Sequence, residues 1–280
     1  TTGPDRDFTV KVDAEGLNAN TWYYYAFSAL GETSQIGRTK TAPAPGTAVD
    51  RLRFAVASCQ NFASGYYTAH RSIANRNDLD AVIFLGDYMY ESGGDSQQGP
   101  TDRNPEPYDS EINTLSEYRI RYSQLRLDPD LQAAHQQYPW IVTWDDHETT
   151  NNSYRTGADN HDPSEGDWAQ RLSEANRAYL EWLPLREPEP SDSLRIWRRL
   201  AFGNLLDLHV IDSRIYGRDV QDGDAIDDRR RTMLGQQQFA WLTQGLSNST
   251  AQWQIIANQV VMTPLEANFP GIITGIVNDD

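Results

Sequence analysis

Ala81-Val-Ile-Phe-Leu-Gly-Asp-Tyr-Met-Tyr-Glu91 is an apolar run that stops at a glycine and then delivers two carboxylates and a phenol, Asp87, Tyr90 and Glu91. A short continuous apolar run reads as a strand buried on both faces, and the glycine allows close backbone approach at its end. Four other runs end in the same manner. Phe54–Ala57 leads to Ser58-Cys59-Gln60, Trp140–Trp144 to Asp145-Asp146-His147-Glu148, Leu205–Ile211 to Asp212-Ser213-Arg214, and Trp253–Ala257 to Asn258-Gln259. Ligands of layered α/β sheets bind just beyond the strand ends, so this repetition predicts a single site and an enzyme.

Helical patterns separate the runs at Thr68–Arg76, Leu115–Leu125, Pro129–Gln137, Gly166–Trp182 and Gly235–Leu246. From Arg51 onward the alternation predicts a layered α/β domain. Leu172, Ala175, Ala178, Tyr179 and Trp182 form one apolar stripe, which reads as core packing. Gly93–Pro107 is rich in Gly, Pro, Asp and Gln and reads either as a loop at the mouth of the site or as inert surface.

The first 45 residues read differently. Phe8–Val12 alternates, Thr21–Phe27 is rich in aromatics, and Thr33–Thr39 follows a turn at Gly31-Glu32, so three strands are expected. Leu17, Thr21 and Tyr23 have the spacing of a tyrosine corner, with Ala19 at the proline position. Three strands are too few for a β-sandwich, and the expectation is that the chain begins inside such a domain. Thr41–Gly46 reads as a stiff linker.

A formal charge of −16 over 280 residues argues against a nucleic-acid partner other than as a substrate, because such binders gain affinity from basic surface. It leaves phosphate chemistry open, because a bound cation reverses the sign of an acidic cleft. The single cysteine permits no internal disulfide, and no apolar run reaches membrane-spanning length.

Asp87 at the edge of a dry sheet needs a cation, an arginine or strong hydrogen bonds, or else serves as a helix cap. The three carboxylates of Asp145-Asp146-His147-Glu148 repel one another unless metal or substrate compensates them. Cys59 reads as a core thiol or as a ligand. With Tyr90 it would suit ferric iron, whereas carboxylates and amide oxygens suit calcium or magnesium. Arg214 reads either as a phosphate clamp or as the partner of Asp212. His209 is expected to be a satisfied sheet residue, and His70, His135 and His161 rank low as site candidates.

Ser58-Cys59-Gln60, Gly86–Glu91, Thr143–Glu148 with Asn151-Asn152, Asp212–Arg214 and Leu234–Phe239 together resemble the alkaline phosphatase D (PhoD-like) family, in order from about Arg51 to Leu265. The resemblance implies a fold class of layered αββα metallophosphoesterase sandwich over residues 46–280. Residues 1–45 would then supply the last strands and linker of a fibronectin III or Ig-like domain. It further implies an exported, secreted or periplasmic enzyme that hydrolyses phosphomonoesters and phosphodiesters with Fe(III) and Ca2+.

Carried onto this chain, the resemblance makes Cys59, Asp87 and Tyr90 ligands of ferric iron, with Asp87 shared by the second metal. Asp146, Asn151 and Asn258 join the metal set, His147 assists the leaving group, and Arg214 contacts phosphate. The family continues into Trp-Asp-Gly-Tyr-like and Gly-Asp-x-His-like segments that this sequence lacks, so a C-terminal portion is expected to complete the site. Two other readings remain: a non-catalytic assembly protein built on a degenerate phosphatase scaffold, and a phosphodiesterase acting on phospholipid or nucleic acid.

Overall fold

Three of the five apolar runs form one parallel sheet. They are β5 (Phe54–Ala57), β6 (Ala81–Phe84) and β7 (Trp140–Val142), with β6 central. The other two lie side by side in a second sheet, where β9 (Leu206–Val210) pairs in parallel with β10 (Trp253–Ala257) and antiparallel with β8 (Arg198–Phe202). The computed structural model describes residues 1–94, 99–107, 110–220, 228–262, 265–266 and 276–277. The helices are α1 (Thr68–Ala74), α2 (Leu115–Leu125), α3 (Pro129–Gln137), α4 (Trp168–Trp182) and α5 (Gly235–Asn248). A last short pair, β11 (Leu265–Glu266) and β12 (Ile276–Val277), is antiparallel.

The period-2 geometry of β6 divides the core. Val82 and Phe84 face the helices in a cluster with Tyr118, Tyr122, Leu131 and Tyr179, while Ala81 and Ile83 meet Leu206, Leu208 and Val210 of the second sheet. On the far side, His209 of β9 packs edge-on against Trp241 of α5 at 5.8 Å. Gly245 brings α5 close to β9, since a Cβ there would lie 2.8 Å from the His209 ring. The layers are therefore helix, sheet, sheet, helix.

Side-chain caps set the helix starts. Thr114 and Glu117 form a reciprocal capping box on α2, and Asp128 caps α3, which has Pro129 in its first turn. α4 starts at Trp168 rather than Gly166, because Gly166 has φ +108° and Asp167 is the cap. α1 stops at Ala74, short of Arg76, and α5 continues to Asn248.

Five expectations of strand or partner fail. β5 and β10 are not buried on both faces: Val56 and Trp253 are each 62% exposed. His209 is buried, but neither ring nitrogen has a hydrogen-bond partner, because its neighbours are the Trp241 ring and the α5 backbone. Phe8–Val12 forms no strand and leaves Phe8, Val10 and Val12 exposed. Polar contacts to α4 and its C-terminal continuation tether this segment instead, among them Trp182 Nε1 to Asp7 Oδ2 (3.0 Å) and Lys11 Nζ to the Leu185 carbonyl (2.8 Å). Thr33–Thr39 is not one strand, because residues 34–36 separate a short strand at Glu32–Thr33 from another at Gly37–Lys40, and the aromatic strand is shorter than expected.

That strand is β1 (Trp22–Tyr25), paired antiparallel with β4 (Gly37–Lys40), and the hairpin of β2 (Ser28–Ala29) and β3 (Glu32–Thr33) lies between them in sequence. Tyr23 Oη accepts from the Asn18 N–H at 2.8 Å, the local hydrogen bond that a tyrosine corner makes. Of the Gly93–Pro107 loop, residues 95–98 lie outside the described residues.

Two core histidines are held without charge. His70 Nε2 lies 2.6 Å from Gln60 Oε1, and burial lowers its pKa from 6.5 to about 4. His135 stacks on Trp140 at 3.8 Å and is likewise lowered by burial. The unfolded chain takes up the His70 proton near pH 6.5 and the folded chain only near 4, so stability falls as pH falls through that window. The loss is roughly 3 kcal/mol. His70→Gln is expected to flatten the urea-derived stability curve over this range; an unchanged slope would refute the neutral imidazole.

Candidate metal centre

The polar groups at the ends of the two sheets are tied together directly. Thr143, just past β7, donates its hydroxyl to the Ile211 carbonyl at 3.0 Å, and Gln259, just past β10, donates to both Thr143 Oγ1 (2.7 Å) and the Ile211 carbonyl (2.6 Å). The β5 and β6 ladder runs on past its strands, with Cys59 N donating to the Gly86 carbonyl and Gln60 N to the Asp87 carbonyl. Both Cys59 (φ +58°) and Asp87 (φ +55°) are left-handed, a conformation that persists only where surrounding contacts enforce it.

Glu148 supplies those contacts for Asp87. This buried carboxylate accepts from the backbone N–H of Asp87 (3.1 Å), Tyr88 (2.7 Å) and Asp145 (2.8 Å), joining the β6 and β7 loops. Gln60 holds the other side by donating Nε2 to the Tyr88 carbonyl at 2.8 Å.

Asp87, Asp146 and His147 bring one ligand atom each to within 4.8 Å of one another. Tyr90 Oη donates to Asp87 Oδ2 at 3.0 Å, and Cys59, exposed rather than a core thiol, lies close enough to both for charge to act between them. Burial, then the charges of Asp145 and Asp146, pushes the Asp87 carboxyl up to about 7. Burial and the Asp87 charge push the Cys59 thiol to about 11, and Tyr90 rises for the same reasons. A cation among these groups would offset every one of these penalties, and the donors match it: thiol, phenol and carboxylates. The residues fit a metal.

His147 is buried against the charge, but its hydrogen bond to Glu91 and the charges of Glu91, Asp146 and Asp87 raise its pKa to about 10. Nδ1 lies 2.7 Å from Glu91 Oε2. Asn151 enters through its backbone, donating N–H to Glu91 Oε1 at 2.7 Å. Asn258 Oδ1 is buried without a hydrogen-bond partner, an orphan acceptor at the end of β10.

Arg214 does not pair with Asp212. Its Nε donates to Asp145 Oδ1 at 2.6 Å and its Nη2 is 3.7 Å from Asp146 Oδ1. Asp212 is occupied by the N–H groups of Arg214, Ile215 and Tyr216, at 2.8, 2.9 and 3.0 Å, as the cap of its own turn. Sequence reasoning missed the positions of Glu91 and Glu148. Both belong to the quoted motifs, but composition does not distinguish a carboxylate that faces a cation from one that faces backbone N–H groups.

The model of the PhoD-like phosphatase family matches residues 54–276, and that of the PhoD-like phosphatase N-terminal domain matches residues 1–43. The chain belongs to the PhoD-like phosphatase family. It is 40% identical over 267 residues to alkaline phosphatase D of Bacillus subtilis (strain 168), covering 92% of this chain and 45% of that protein. The solved structure of PhoD superposes with a TM-score of 0.85 at 37% identity, covering 94% of this chain and 52% of that one. The PhoD-like chain thus spans about half the length of these relatives. A purple acid phosphatase from yellow lupin shares the fold, with a TM-score of 0.50 at 15% identity over 86% of this chain and 36% of that one.

Gly86 has both a left-handed backbone and a close neighbour. It has φ +107°, and a Cβ there would lie 2.3 Å from the Asp145 backbone nitrogen. Gly86→Ala is expected to cost about 3 kcal/mol or more, from strain plus displacement of the Asp145 loop. Wild-type thermal stability in that variant would contradict the close approach.

Proposed function

We propose that this chain hydrolyses phosphate esters at the centre formed by Cys59, Asp87, Tyr90, Asp146 and His147. The observation that carries the reading is the convergence of Asp87, Asp146 and His147 within 4.8 Å, with Tyr90 hydrogen-bonded to Asp87 and the Cys59 thiol near enough to feel the Asp87 charge. Fe(III) would be held by Cys59, Asp87 and Tyr90, and Ca2+ by Asp146 with the amide oxygens of Asn151 and Asn258. Such metals, when bound, supply Lewis acidity and an activated water.

The chain's own groups do the rest. Glu91 accepts at His147 Nδ1, which leaves Nε2 to carry the proton that a departing alkoxide needs. A pKa raised to about 10 keeps that proton in place at neutral pH. Arg214 fixes Asp145 by its Nε, and its buried Nη1, which has no hydrogen-bond partner, remains a donor for a phosphoryl oxygen. Residues 1–45 read as strands of an Ig-like β-sandwich with its linker, and 46–280 as the phosphatase domain; the Tyr23 corner supports the former. Export is part of the proposal and rests on the family resemblance. No described helix is long and apolar enough to cross a membrane.

Mass spectrometry of the native chain, before any chelator, is expected to find about one iron per chain with calcium beside it. Asp87→Ala is expected to lose the metal and lower hydrolysis of mono- and diesters by about 1,000-fold or more. Folded wild-type protein free of metal and inert on both ester classes would overturn the proposal.

A further inference from the structure

Glu91 orients His147, yet Glu91 must itself be fixed, and the groups around it come from an unexpected direction. Glu91 is 1% exposed, and its Oε1 accepts from Asn151 N at 2.7 Å and lies 3.1 Å from Thr150 Oγ1. Thr150 is fully buried, and the same hydroxyl lies 2.7 Å from Glu111 Oε1. One hydroxyl hydrogen therefore serves two carboxylates. Buried Glu91 and partly exposed Glu111, flanking one hydroxyl, repel unless a cation offsets one of them. Arg171 of α4 is that cation, its Nη2 lying 2.5 Å from Glu111 Oε1 and also donating to the Ile112 carbonyl at 3.0 Å. With the Glu111 charge offset by Arg171, the Thr150 hydroxyl bridges the two carboxylates and holds Glu91 at 3.1 Å.

We propose that Thr150 is a positioning residue for His147, its hydroxyl fixing Glu91 between the imidazole on one side and the Glu111–Arg171 pair on the other. The role rests on the reading of His147 as the proton donor, but the tether is a structural claim that can be measured apart from activity.

The measurement is NMR of protein labelled with 15N-histidine. The imidazole Nδ1–H of His147, identified by its loss in His147→Asn, is expected to be protected from solvent exchange in the wild type. Thr150→Val keeps the shape and removes the hydroxyl, and is expected to speed that exchange about tenfold, while Thr150→Ser stays near wild type. If the valine variant does not fold, Thr150→Ala against Thr150→Ser isolates the hydroxyl, since both lack the methyl.

In the hydrolysis assay, Thr150→Val is expected to lower kcat about tenfold with KM within about twofold, and to add no further loss to Glu91→Gln. Unchanged exchange in the hydroxyl-free variants, equal impairment of the serine variant, or additive losses with Glu91→Gln would overturn the proposal. A wild-type chain that hydrolyses no ester would sink the hydrolase reading alone, and the exchange comparison would still decide the tether.

Discussion

Negative charge cannot be buried without compensation, and this fold buries five carboxylates at the ends of two adjacent strands: Asp87, Glu91, Asp145, Asp146 and Glu148. Four of them have identifiable compensation within the protein. Arg214 serves Asp145 and Asp146, His147 and Asn151 serve Glu91, and three backbone N–H groups serve Glu148. Asp87 has the fewest donors, a phenol and one long backbone contact of 3.3 Å from His147 N, and even with the His147 charge nearby its carboxyl is pushed up to about 7. Burial raises Asp145 and Glu148 as well, so the shortage of positive charge belongs to the group of carboxylates around the converging donor atoms. A cation there is the economical account of why so much charge is tolerated.

The sheets make that concentration possible. Parallel pairing of β5, β6 and β7 sends Cys59, Asp87 and Asp145 to one edge, and parallel pairing of β9 with β10 sends Asp212 and Asn258 to the corresponding edge of the other sheet. Thr143 and Gln259 then bind the two edges together. Strain at Cys59 and Asp87 costs on the order of 1 kcal/mol each. It is sustained because Glu148 and Gln60 grip the neighbouring peptides.

Much of this was readable in the sequence because its signals are local. Apolar runs stopping at polar groups marked β5, β6, β7, β9 and β10, and the helical patterns at Leu115–Leu125 and Pro129–Gln137 match α2 and α3 to the residue, where Thr114 and Asp128 prove to be the caps. What escaped depends on partners far along the chain. Phe8–Val12 alternates like a strand, but alternation does not supply a neighbour to hydrogen-bond with. Asp212 stands two residues from Arg214, yet the turn between them consumes its oxygens and the arginine reaches across to Asp145. His209 was expected to find a partner because buried imidazoles usually do, and only the position of Trp241 explains why it does not. The proposed roles of Glu91 and Thr150 likewise rest on contacts some 60 and 40 residues distant in sequence, which no local pattern encodes.

α4 connects these features. Arg171 near its start offsets Glu111 beside Thr150, and Glu181 near its end is a buried carboxylate gripped by Arg119 at 2.7 Å and Arg177 at 3.0 Å. Those two arginines also donate to the Asp5 carbonyl, so the N-terminal segment is attached by charge-assisted bonds to backbone rather than by apolar burial. This explains how Phe8, Val10 and Val12 stay exposed while the segment keeps its place. The two anchor points are ten residues apart on one helix, about 15 Å along its axis, and an α-helix of that length is stiff. The N-terminal segment and the Glu111 side of the Thr150 contact are therefore fastened to opposite ends of the same helix.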